Sequence, residues 1–371
     1  MKKILFIINS LKCGGAERLL LDILRNFDYT HYDVSLLTFN DICMFEDTLP
    51  PDVKRLNCIG FGARVGHWHR KILNAIGCLD KYYQSQIKHV TSGYDTIISF
   101  LEGFPLRAHS YITDNSKRNL SFVHTDLSVY PDSIAQFGGL SNMIEAYKKM
   151  SEVVFVSEGA LKGFDTVCGD ILEHKQILHN FIDVESIERK AKLSESPYDD
   201  QFFNVVLLGR VTEVKGYDVI PEVARMIKTD SLPIRFTIVG DGGYMPILMQ
   251  QLKETDTEDI VFLAGFQSNP YPYVKNANLL LSTSKTEGLP ISFCEAMAFG
   301  VPIMATPTAG AMELLSDSTG IIVKRDVQSI YKEIVNVFQE KKKLSKLSEK
   351  SKEKAKEFGK MSYLERLYAI L

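Results

Sequence analysis

The sequence predicts an α/β protein made of two doubly wound domains of similar size. Short apolar runs alternate with amphipathic helical patterns along the 371 residues, which is typical of parallel strands covered on both faces by crossover helices. A polar segment at residues 185–203 interrupts this alternation about halfway along the chain. We therefore predict a first domain at residues 1–184, a linker at 185–203 and a second domain at 204–357. We also expect a C-terminal helix at about residues 358–371 to pack back on the first domain.

The first domain opens with a short apolar run at residues 3–9, followed by a helical pattern at residues 16–27. The apolar run is too short for a signal peptide and leads into a Gly-Gly turn, so we predict a buried strand there. A long helical pattern covers residues 68–90. Other apolar runs predict strands at residues 33–39, 53–61, 95–100, 118–124, 152–158 and 175–180.

The second domain repeats the alternation of strands and helices. We predict helices from about Tyr217, after Gly243, from Pro290 and at the C-terminus. The apolar runs between them predict strands at residues 203–210, 234–239, 260–266, 277–284, 301–307 and 319–324.

Composition narrows the classes of protein that fit. The formal net charge of −3 argues against a nucleic-acid-binding protein, because such proteins usually carry a basic domain. The six cysteines form no C-x-x-C pair, so we expect neither a zinc site nor a disulfide framework, and a reducing cytoplasmic location is favoured. No run approaches the roughly 18 apolar residues of a membrane span, so we expect no transmembrane helix.

Two glycine turns follow predicted strands. Gly14 and Gly15 stand between the first strand and the first helix, where backbone N–H groups favour an anion. Gly240 begins the turn after the strand at 234–239 and would fit the wall of a nucleotide pocket. The G-x-G-x-x-G spacing and the acidic residue of a dinucleotide fingerprint are both missing. A tight turn without a ligand remains an alternative for both turns.

Two cations follow the first strand of the second domain. Arg210 and Lys215 are five positions apart in a loop that opens a helix at Gly216. The carboxyl end of such a strand is where α/β sheets bind ligands. A planar guanidinium and a compact ammonium could converge there on a diphosphate. Two solvated surface cations are the alternative.

The most specific stretch reads TEGLPISFCEAMAFGVP, in which seven residues separate Glu287 from Glu295. Pro290 suits the first turn of a helix, so Gly288 and Leu289 would place backbone N–H groups where they can hold a phosphate or a sugar. Vicinal hydroxyls donate well to a carboxylate, so the two acids could hold a pyranose and a ribose. The alternative is a capping acid at Glu287 and a surface acid at Glu295. Glu295 is flanked by apolar residues, where an unpaired carboxylate is costly.

Polar residues also lie at the carboxyl ends of two predicted strands of the first domain. His124 ends the apolar run at 118–124 and Asp126 comes two residues later, whereas Glu102 follows the run at 95–100. These positions lie at the sheet edge where ligands bind. A purely structural role for the histidine remains an alternative.

Taken together, these motifs resemble the retaining glycosyltransferases of family 4, which have the GT-B fold of two Rossmann-like domains facing across a cleft. The resemblance rests on GGAER at the first turn, GRVTEVKG with its two cations, VGDG, and the TEGLPISFCEAMAFGVPIMAT stretch. AGAMELL also looks like the next turn of the family. The similarity covers most of the chain and is stronger after Phe203.

The resemblance implies roles for the candidate residues. Glu295 would bind the ribose hydroxyls of the donor, and Glu287 with the amides of Gly288 and Leu289 would hold the transferred sugar. Arg210 and Lys215 would neutralise the diphosphate leaving group. In the first domain, Gly15 would offer its amide to the diphosphate and His124 would lie near the reacting face of the sugar. Glu102 and Asp126 are candidates on the acceptor side.

The implied activity is retaining transfer of a hexose from a nucleotide sugar, expected to be a uridine diphosphate (UDP) sugar. The acceptor would be a glycan or a polyprenyl-linked oligosaccharide of surface polysaccharide synthesis, such as a capsule or an O-antigen. No D-x-D triplet occurs in the chain, so we expect no metal and no other cofactor. Two other functions stay open, a GT-B-type nucleotide-sugar epimerase and an inactive glycosyltransferase-like binding subunit.

Two basic stretches suggest where the chain could meet other molecules. Residues 54–90 carry seven Lys or Arg against one acid, and Trp68 lies in a helical apolar stripe there. A basic helix with an aromatic residue in its apolar stripe is typical of peripheral contact with anionic lipid. We therefore expect residues 64–90 to contact the inner face of the membrane. An ordinary crossover helix is the alternative. Residues 341–356 carry eight lysines against two glutamates, for which a solvated helix face is the simpler interpretation.

Overall fold

A computed structural model describes residues 1–11, 15–39, 49–57, 77–78, 81, 84, 87, 90, 93–129 and 131–371. These residues divide into two compact units. The first unit is Met1–His179 together with Tyr363–Leu371, and the second is Asn180–Ser362.

The first unit contains a seven-stranded sheet in the order β3-β2-β1-β4-β5-β6-β7. All its described strand pairs are parallel. The predicted N-terminal apolar run forms β1, which lies between β2 and β4, and its residues 4–8 are fully buried. The strands are β1 Lys2–Ile8, β2 Tyr32–Thr38, β3 Lys54–Asn57, β4 Tyr94–Ser99, β5 Ser116–Val123, β6 Glu152–Phe155 and β7 Lys175–Ile177.

Helices connect these strands, as the alternating pattern predicts. They are α1 Gly15–Arg25, α2 Phe104–His109, α3 Asp132–Phe137, α4 Leu140–Lys148 and α5 Glu158–Cys168. A 3₁₀ turn spans Thr113–Asn115. In α1, five leucine and isoleucine side chains between positions 19 and 24 are buried, as expected for the apolar side of an amphipathic helix.

The second unit contains a six-stranded parallel sheet in the order β10-β9-β8-β11-β12-β13. Its strands are β8 Phe203–Leu208, β9 Ile234–Val239, β10 Val261–Gly265, β11 Leu279–Ser282, β12 Ile303–Ala305 and β13 Ile321–Ile322. The strand order reverses between β8 and β11, so the connections from these two neighbouring strands leave in opposite directions. Such a switch point opens a crevice at the carboxyl ends of the strands.

The helices of the second unit run from residue 184 to residue 355. They are α6 Val184–Ala191, α7 Ile220–Thr229, α8 Met245–Glu254, α9 Tyr271–Lys275, α10 Ile291–Phe299, α11 Ala309–Leu314, α12 Val327–Gln339 and α13 Lys341–Ala355. Three 3₁₀ turns span Glu213–Lys215, Tyr217–Val219 and Lys356–Phe358.

Part of the segment predicted as a linker, residues 185–203, is helical. In α6 the Asp183 carboxylate caps the helix by accepting a hydrogen bond from the Ser186 N–H at 3.1 Å. Ile187 and Ala191 are buried in a small cluster with Tyr271. The polar composition of this segment hid a short helix, because only one narrow stripe of its surface is apolar.

The last helix, α14 Lys360–Ile370, brings the C-terminal residues into the first unit. The Tyr368 ring stacks on Tyr32 with centroids 5.2 Å apart, and its hydroxyl accepts the Asp28 backbone N–H at 2.9 Å. The Thr96 hydroxyl donates to the Leu371 carbonyl at 2.8 Å. The final residues therefore complete the packing beside β1, β2 and β4.

Most of the basic stretch at residues 64–90 lies outside the described residues, including Trp68. Ile87 and Val90 are described, and both are buried in a core cluster of the first unit. This burial agrees with the crossover-helix interpretation at those two positions. Among the described residues, no helix has the length and the apolar character needed to cross a membrane.

Candidate functional site

The strongest group of candidate residues lies at the switch point of the second sheet. Two neighbouring strands end there, β8 and β11. We call residues 209–216, which follow β8, the β8 loop, and residues 283–290, which follow β11, the β11 loop. Arg210 and Lys215 belong to the β8 loop, and Glu287 belongs to the β11 loop.

The two loops meet through an ion pair. The Lys215 ammonium contacts the Glu287 Oε1, and the Ser284 hydroxyl donates to the same oxygen at 2.7 Å. The two charged side chains are 23% and 15% exposed, respectively. The side chain of Glu287 therefore faces the β8 loop, and α10 has no side-chain cap. The alternative of a capping acid at Glu287 is wrong.

Backbone contacts hold the β8 loop against the β11 loop. The Lys285 N–H donates to the Val214 carbonyl at 2.8 Å, and the Thr283 hydroxyl donates to the Lys215 carbonyl at 3.1 Å. The Lys285 ammonium also pairs with the Glu213 carboxylate at 3.2 Å, near the surface. Lys215 and Glu287 thus lie on two loops that are hydrogen-bonded to each other close to both residues.

The glycines of the β8 and β9 turns permit a close approach of backbones. Gly240 has a φ of +147°, and a Cβ there would lie 1.9 Å from the Gly209 carbonyl oxygen. At Gly209, with a φ of +148°, a Cβ would lie 3.3 Å from Cε of Lys215. The Val211 N–H also donates to the Asp241 carbonyl at 3.0 Å. The VGDG turn therefore supports the backbone that carries Arg210.

Arg210 itself is exposed. Among the residues that the structure describes, its guanidinium forms no ion pair or hydrogen bond. The structure therefore separates the two predicted cations into a paired ammonium at Lys215 and an unpaired guanidinium at Arg210. The alternative of solvated surface cations therefore does not fit Lys215, and the exposed Arg210 is compatible with it.

The backbone at Gly288 is packed against α11. The Gly310 N–H donates to the Glu287 carbonyl at 3.0 Å, and a Cβ at Gly310 would lie 2.2 Å from the Gly288 carbonyl oxygen. Leu289 is buried. Pro290 has an extended conformation and precedes α10 as its N-cap, whereas the sequence predicted it inside the first turn.

Glu295 lies on α10 and is only 4% exposed. Its Oε1 accepts a hydrogen bond from the Tyr271 hydroxyl at 3.1 Å. Because a buried carboxylate is costly without partners, this contact helps to explain how an acid is tolerated among apolar neighbours. The alternative of a surface acid at Glu295 is wrong.

The phenol of Tyr217 is buried and interacts electrostatically with Glu287 of the ion pair. Its hydroxyl is 3.4 Å from the Gly209 carbonyl oxygen. Burial raises the pKa of Tyr217 above its usual value, and the negative charge of Glu287 raises this pKa further. The phenol therefore stays neutral and acts as a hydrogen-bond donor under the β8 loop.

In the first unit, Glu102 and His124 are brought together at the ends of β4 and β5. The Glu102 carboxylate accepts the His124 backbone N–H at 2.9 Å and the Thr125 hydroxyl at 2.7 Å. The His124 ring donates to the Phe100 carbonyl, and its Nε2 is buried with no hydrogen-bond partner in the described part of the chain. Burial lowers the pKa of His124, and the charge of Glu102 opposes this shift.

Asp126 makes local contacts in the turn after His124. Its Oδ1 accepts both the backbone N–H of Ser128 at 3.0 Å and the Ser128 hydroxyl at 2.6 Å. A Cβ at Gly163 would lie 2.0 Å from the same oxygen. These contacts account for Asp126 as a turn residue packed on α5.

Gly15 is the first residue of α1, as the predicted strand–turn–helix requires, and it is exposed. Gly14 lies outside the described residues. Among residues 1–11, 15–39 and the other described ranges, no cluster of three or more His, Cys, Asp or Glu side chains could hold a metal ion.

Sequence reasoning missed several residues that shape the site. Thr283 and Ser284 lie within the STSKTEG stretch, and hydroxyls so close to Glu287 were a signal available in the sequence. Tyr271 is 24 positions from Glu295 in sequence, and Arg325 is farther still from the β8 loop. Nothing in the local pattern at Tyr271 or Arg325 points to the site.

Residues 188–354 match the family model described as glycosyl transferases group 1. This range contains the β8 loop, the β11 loop and α10 with Glu295. The predicted glycosyltransferase class is therefore supported for the region that holds the candidate site.

Several curated relatives match part of the chain. The N-acetylgalactosamine-N,N'-diacetylbacillosaminyl-diphospho-undecaprenol 4-alpha-N-acetylgalactosaminyltransferase of Campylobacter jejuni is 29% identical over 189 residues, which are 50% of this chain and 50% of that protein. The amylovoran biosynthesis glycosyltransferase of Erwinia amylovora is 32% identical over 123 residues, which are 31% and 30% of the two chains. The chain thus spans about half the length, or less, of the curated relatives it matches.

Solved structures match over the full length. HepE of Anabaena in complex with UDP-glucose has a TM-score of 0.79 at 19% identity, covering 100% of this chain and 99% of that chain. At this identity the likeness concerns the fold. With two parallel α/β sheets in two units, the protein has the predicted GT-B fold of two Rossmann-like domains.

Proposed function

We propose that this protein is a glycosyltransferase that moves a hexose from a UDP-sugar to a glycan or lipid-linked oligosaccharide during surface polysaccharide synthesis. The observation that carries the proposal is the Lys215–Glu287 pair at the switch point of the second sheet, inside the region that matches the family model. The diphospho-undecaprenol substrate of the Campylobacter relative supports a lipid-linked acceptor, and the Erwinia relative, an amylovoran biosynthesis glycosyltransferase, supports polysaccharide synthesis. HepE with UDP-glucose supports this class of donor.

In this proposal the ion pair changes partners when the donor binds. The Lys215 ammonium and the Arg210 guanidinium bind the diphosphate, where negative charge grows as it departs. The Glu287 carboxylate keeps its hydrogen bond from the Ser284 hydroxyl and accepts further hydrogen bonds from hydroxyls of the hexose. The backbone amides of Gly288 and Leu289 also contact the hexose. Glu295, oriented by Tyr271, accepts from the ribose hydroxyls.

We propose transfer with retention of the anomeric configuration and without a metal. The acceptor hydroxyl attacks the anomeric carbon on the face that the diphosphate leaves. The bond between that carbon and the diphosphate oxygen breaks, and the leaving phosphate takes the proton of the acceptor. Because the acceptor attacks directly and the leaving phosphate serves as the base, no protein nucleophile is assigned. The positive charge of Arg210 and Lys215 balances the leaving group.

Residues of the first unit have supporting roles in the proposal. The Nε2 of His124 is buried without a hydrogen-bond partner in the described part of the chain, and we propose that a sugar hydroxyl donates to it after a local rearrangement when the donor binds. The carboxylate of Glu102 fixes the backbone of His124 and the side chain of Thr125. The exposed start of α1 at Gly15 offers backbone N–H groups to a phosphate. To Asp126 we assign only a structural role, in the turn that it forms with Ser128.

A nucleotide-sugar screen tests the proposal at the level of the donor. We expect UDP-hexoses to raise the thermal midpoint in a buffer that contains EDTA, since a ligand at 100 times its Kd stabilises by about 2.7 kcal/mol. GDP-sugars and NAD are the comparison ligands. Release of UDP should then require an added glycan or lipid-linked acceptor, which separates transfer from epimerisation. If no nucleotide sugar raises the midpoint, the proposal fails.

We further propose peripheral contact between residues 64–90 and an anionic membrane. The support is the excess of basic residues in this part of the sequence and the lipid-linked substrate in the name of the Campylobacter relative. The chain should co-sediment with vesicles that contain phosphatidylglycerol, but not with neutral vesicles, and high salt should weaken the binding. Equal behaviour with both vesicles would contradict this contact.

A further inference from the structure

Arg325 lies in the connection between β13 and α12, outside every motif of the sequence analysis. Its guanidinium nevertheless reaches both loops of the candidate site. The Nε donates to the Thr283 carbonyl at 3.0 Å, and Nη2 donates to the Gly216 carbonyl at 3.4 Å. One side chain thus links the backbone just after Lys215 to the start of the β11 loop.

The backbone around Arg325 is tightly packed at this junction. Gly216 has a φ of +66°, and a Cβ there would lie 2.2 Å from the Thr283 carbonyl oxygen and 2.9 Å from Nε of Arg325. The Arg325 side chain is 26% exposed, and its Nη2 also pairs with the Asp218 carboxylate. The guanidinium is therefore held from three directions and has little freedom to move.

The same two loops hold the ion pair in place. The Thr283 hydroxyl donates a hydrogen bond to the Lys215 carbonyl, and the Thr283 carbonyl accepts one from Arg325. Ser284, the next residue, donates to Glu287. A shift of the β8 loop away from Thr283 would therefore move the Lys215 ammonium relative to the Glu287 carboxylate.

We infer that Arg325 is a positioning residue for the Lys215 ammonium. It acts through the carbonyls of Gly216 and Thr283, and its charge is already balanced by Asp218. A planar fork with several N–H donors suits this task, whereas a lysine offers a single ammonium. The inference rests on the proposed function where it concerns diphosphate binding, but the position of Lys215 can be measured without any nucleotide.

The first experiment measures that position directly. Acetylation of Lys215 by acetic anhydride is followed by mass spectrometry in the wild-type chain and in Arg325→Ala, with the exposed Lys253 on α8 as the internal reference. Loss of the Arg325 contacts should loosen the Lys215–Glu287 pair, so we expect acetylation of Lys215 to become several times faster, on the order of fivefold. An unchanged rate overturns the inference, whatever the nucleotide results.

Two variants separate positioning from charge. Arg325→Lys keeps the positive charge but loses the planar guanidinium that donates to both carbonyls. We therefore expect its Lys215 acetylation rate to resemble that of Arg325→Ala. Asp218→Asn removes the ion pair but leaves both carbonyl contacts available, so its rate should stay near wild type. A wild-type rate in Arg325→Lys would instead assign the effect to charge and contradict positioning.

The second experiment connects the position of Lys215 to ligand binding. Calorimetry with UDP and with uridine should show that Arg325→Ala raises the Kd of UDP about tenfold, while uridine changes little, because only the diphosphate uses Lys215. In a Lys215→Ala background, Arg325→Ala should have no further effect on UDP. Equal weakening of UDP and uridine would overturn the inference. Absence of UDP binding by the wild-type chain, together with faster acetylation in Arg325→Ala, would reject the proposed function and keep the positioning role.

Discussion

Lys215→Ala and Glu287→Ala should each lower the rate of hexose transfer by about a thousandfold or more, because each removes a fixed charge from the reacting centre. Lys215 would no longer balance the leaving diphosphate. Glu287 would no longer hold the hexose, and its absence would leave the Lys215 ammonium without the partner that fixes it. Both variants should stay folded, as thermal unfolding and circular dichroism can show. The rate is measured as acceptor-dependent release of UDP.

Lys285→Ala provides the matched control. Lys285 lies two positions before Glu287 and its ammonium also pairs across the two loops, but the pair with Glu213 is exposed. Such surface pairs contribute little, so transfer should stay within a few-fold of the wild-type rate. Because Lys215 and Glu287 act as a unit, the double variant should lose much less than the product of the two single effects. A near-normal rate in either single variant would refute the assigned site.

Gly240→Ala should destabilise the second unit by about 3 kcal/mol or more, through strain and a backbone clash. The new Cβ would lie 1.9 Å from the Gly209 carbonyl oxygen, a position that no side-chain rotation can relieve. Relief would require the turn before Arg210 to shift, so the affinity for UDP should also fall. Amide hydrogen exchange in β8 and β9 measures the first effect, and calorimetry measures the second.

Gly243→Ala is the control in the same turn. A Cβ at Gly243 would meet nothing within 4 Å, and its φ is outside the left-handed region. We expect unfolding and UDP affinity close to those of the wild-type chain. Similar damage in both variants would mean that the turn responds to any added side chain, and that the contact with Gly209 is not the cause.

Much of the fold could be predicted because its strands are buried on both faces. Runs such as residues 4–8 of β1 are apolar at consecutive positions, which signals a parallel sheet whatever its strand order. The helix α6 escaped prediction because only Ile187 and Ala191 contribute a buried surface. A pattern this narrow is lost in a segment rich in Ser, Pro, Asp and Glu.

For the candidate site, the sequence supplied residue types but not their pairings. Glu287 and Lys215 were both predicted, yet their direct contact depends on β8 and β11 being neighbours. Tyr271, which donates a hydrogen bond to Glu295, comes from a helix that packs beside α10. Local pattern carries no information on such contacts, because they arise from the packing of distant segments.

The route of the chain through its two units has a consequence for biosynthesis. The first unit is finished only when residues 363–371 arrive, with Tyr368 stacked on Tyr32 and the Leu371 carbonyl bound by Thr96. A ribosome makes these residues only after the whole second unit, Asn180–Ser362, which precedes them in the chain. This patch of the amino-terminal sheet therefore stays uncovered until residues 363–371 have been made, and a fragment that stops near residue 179 would expose the same patch permanently.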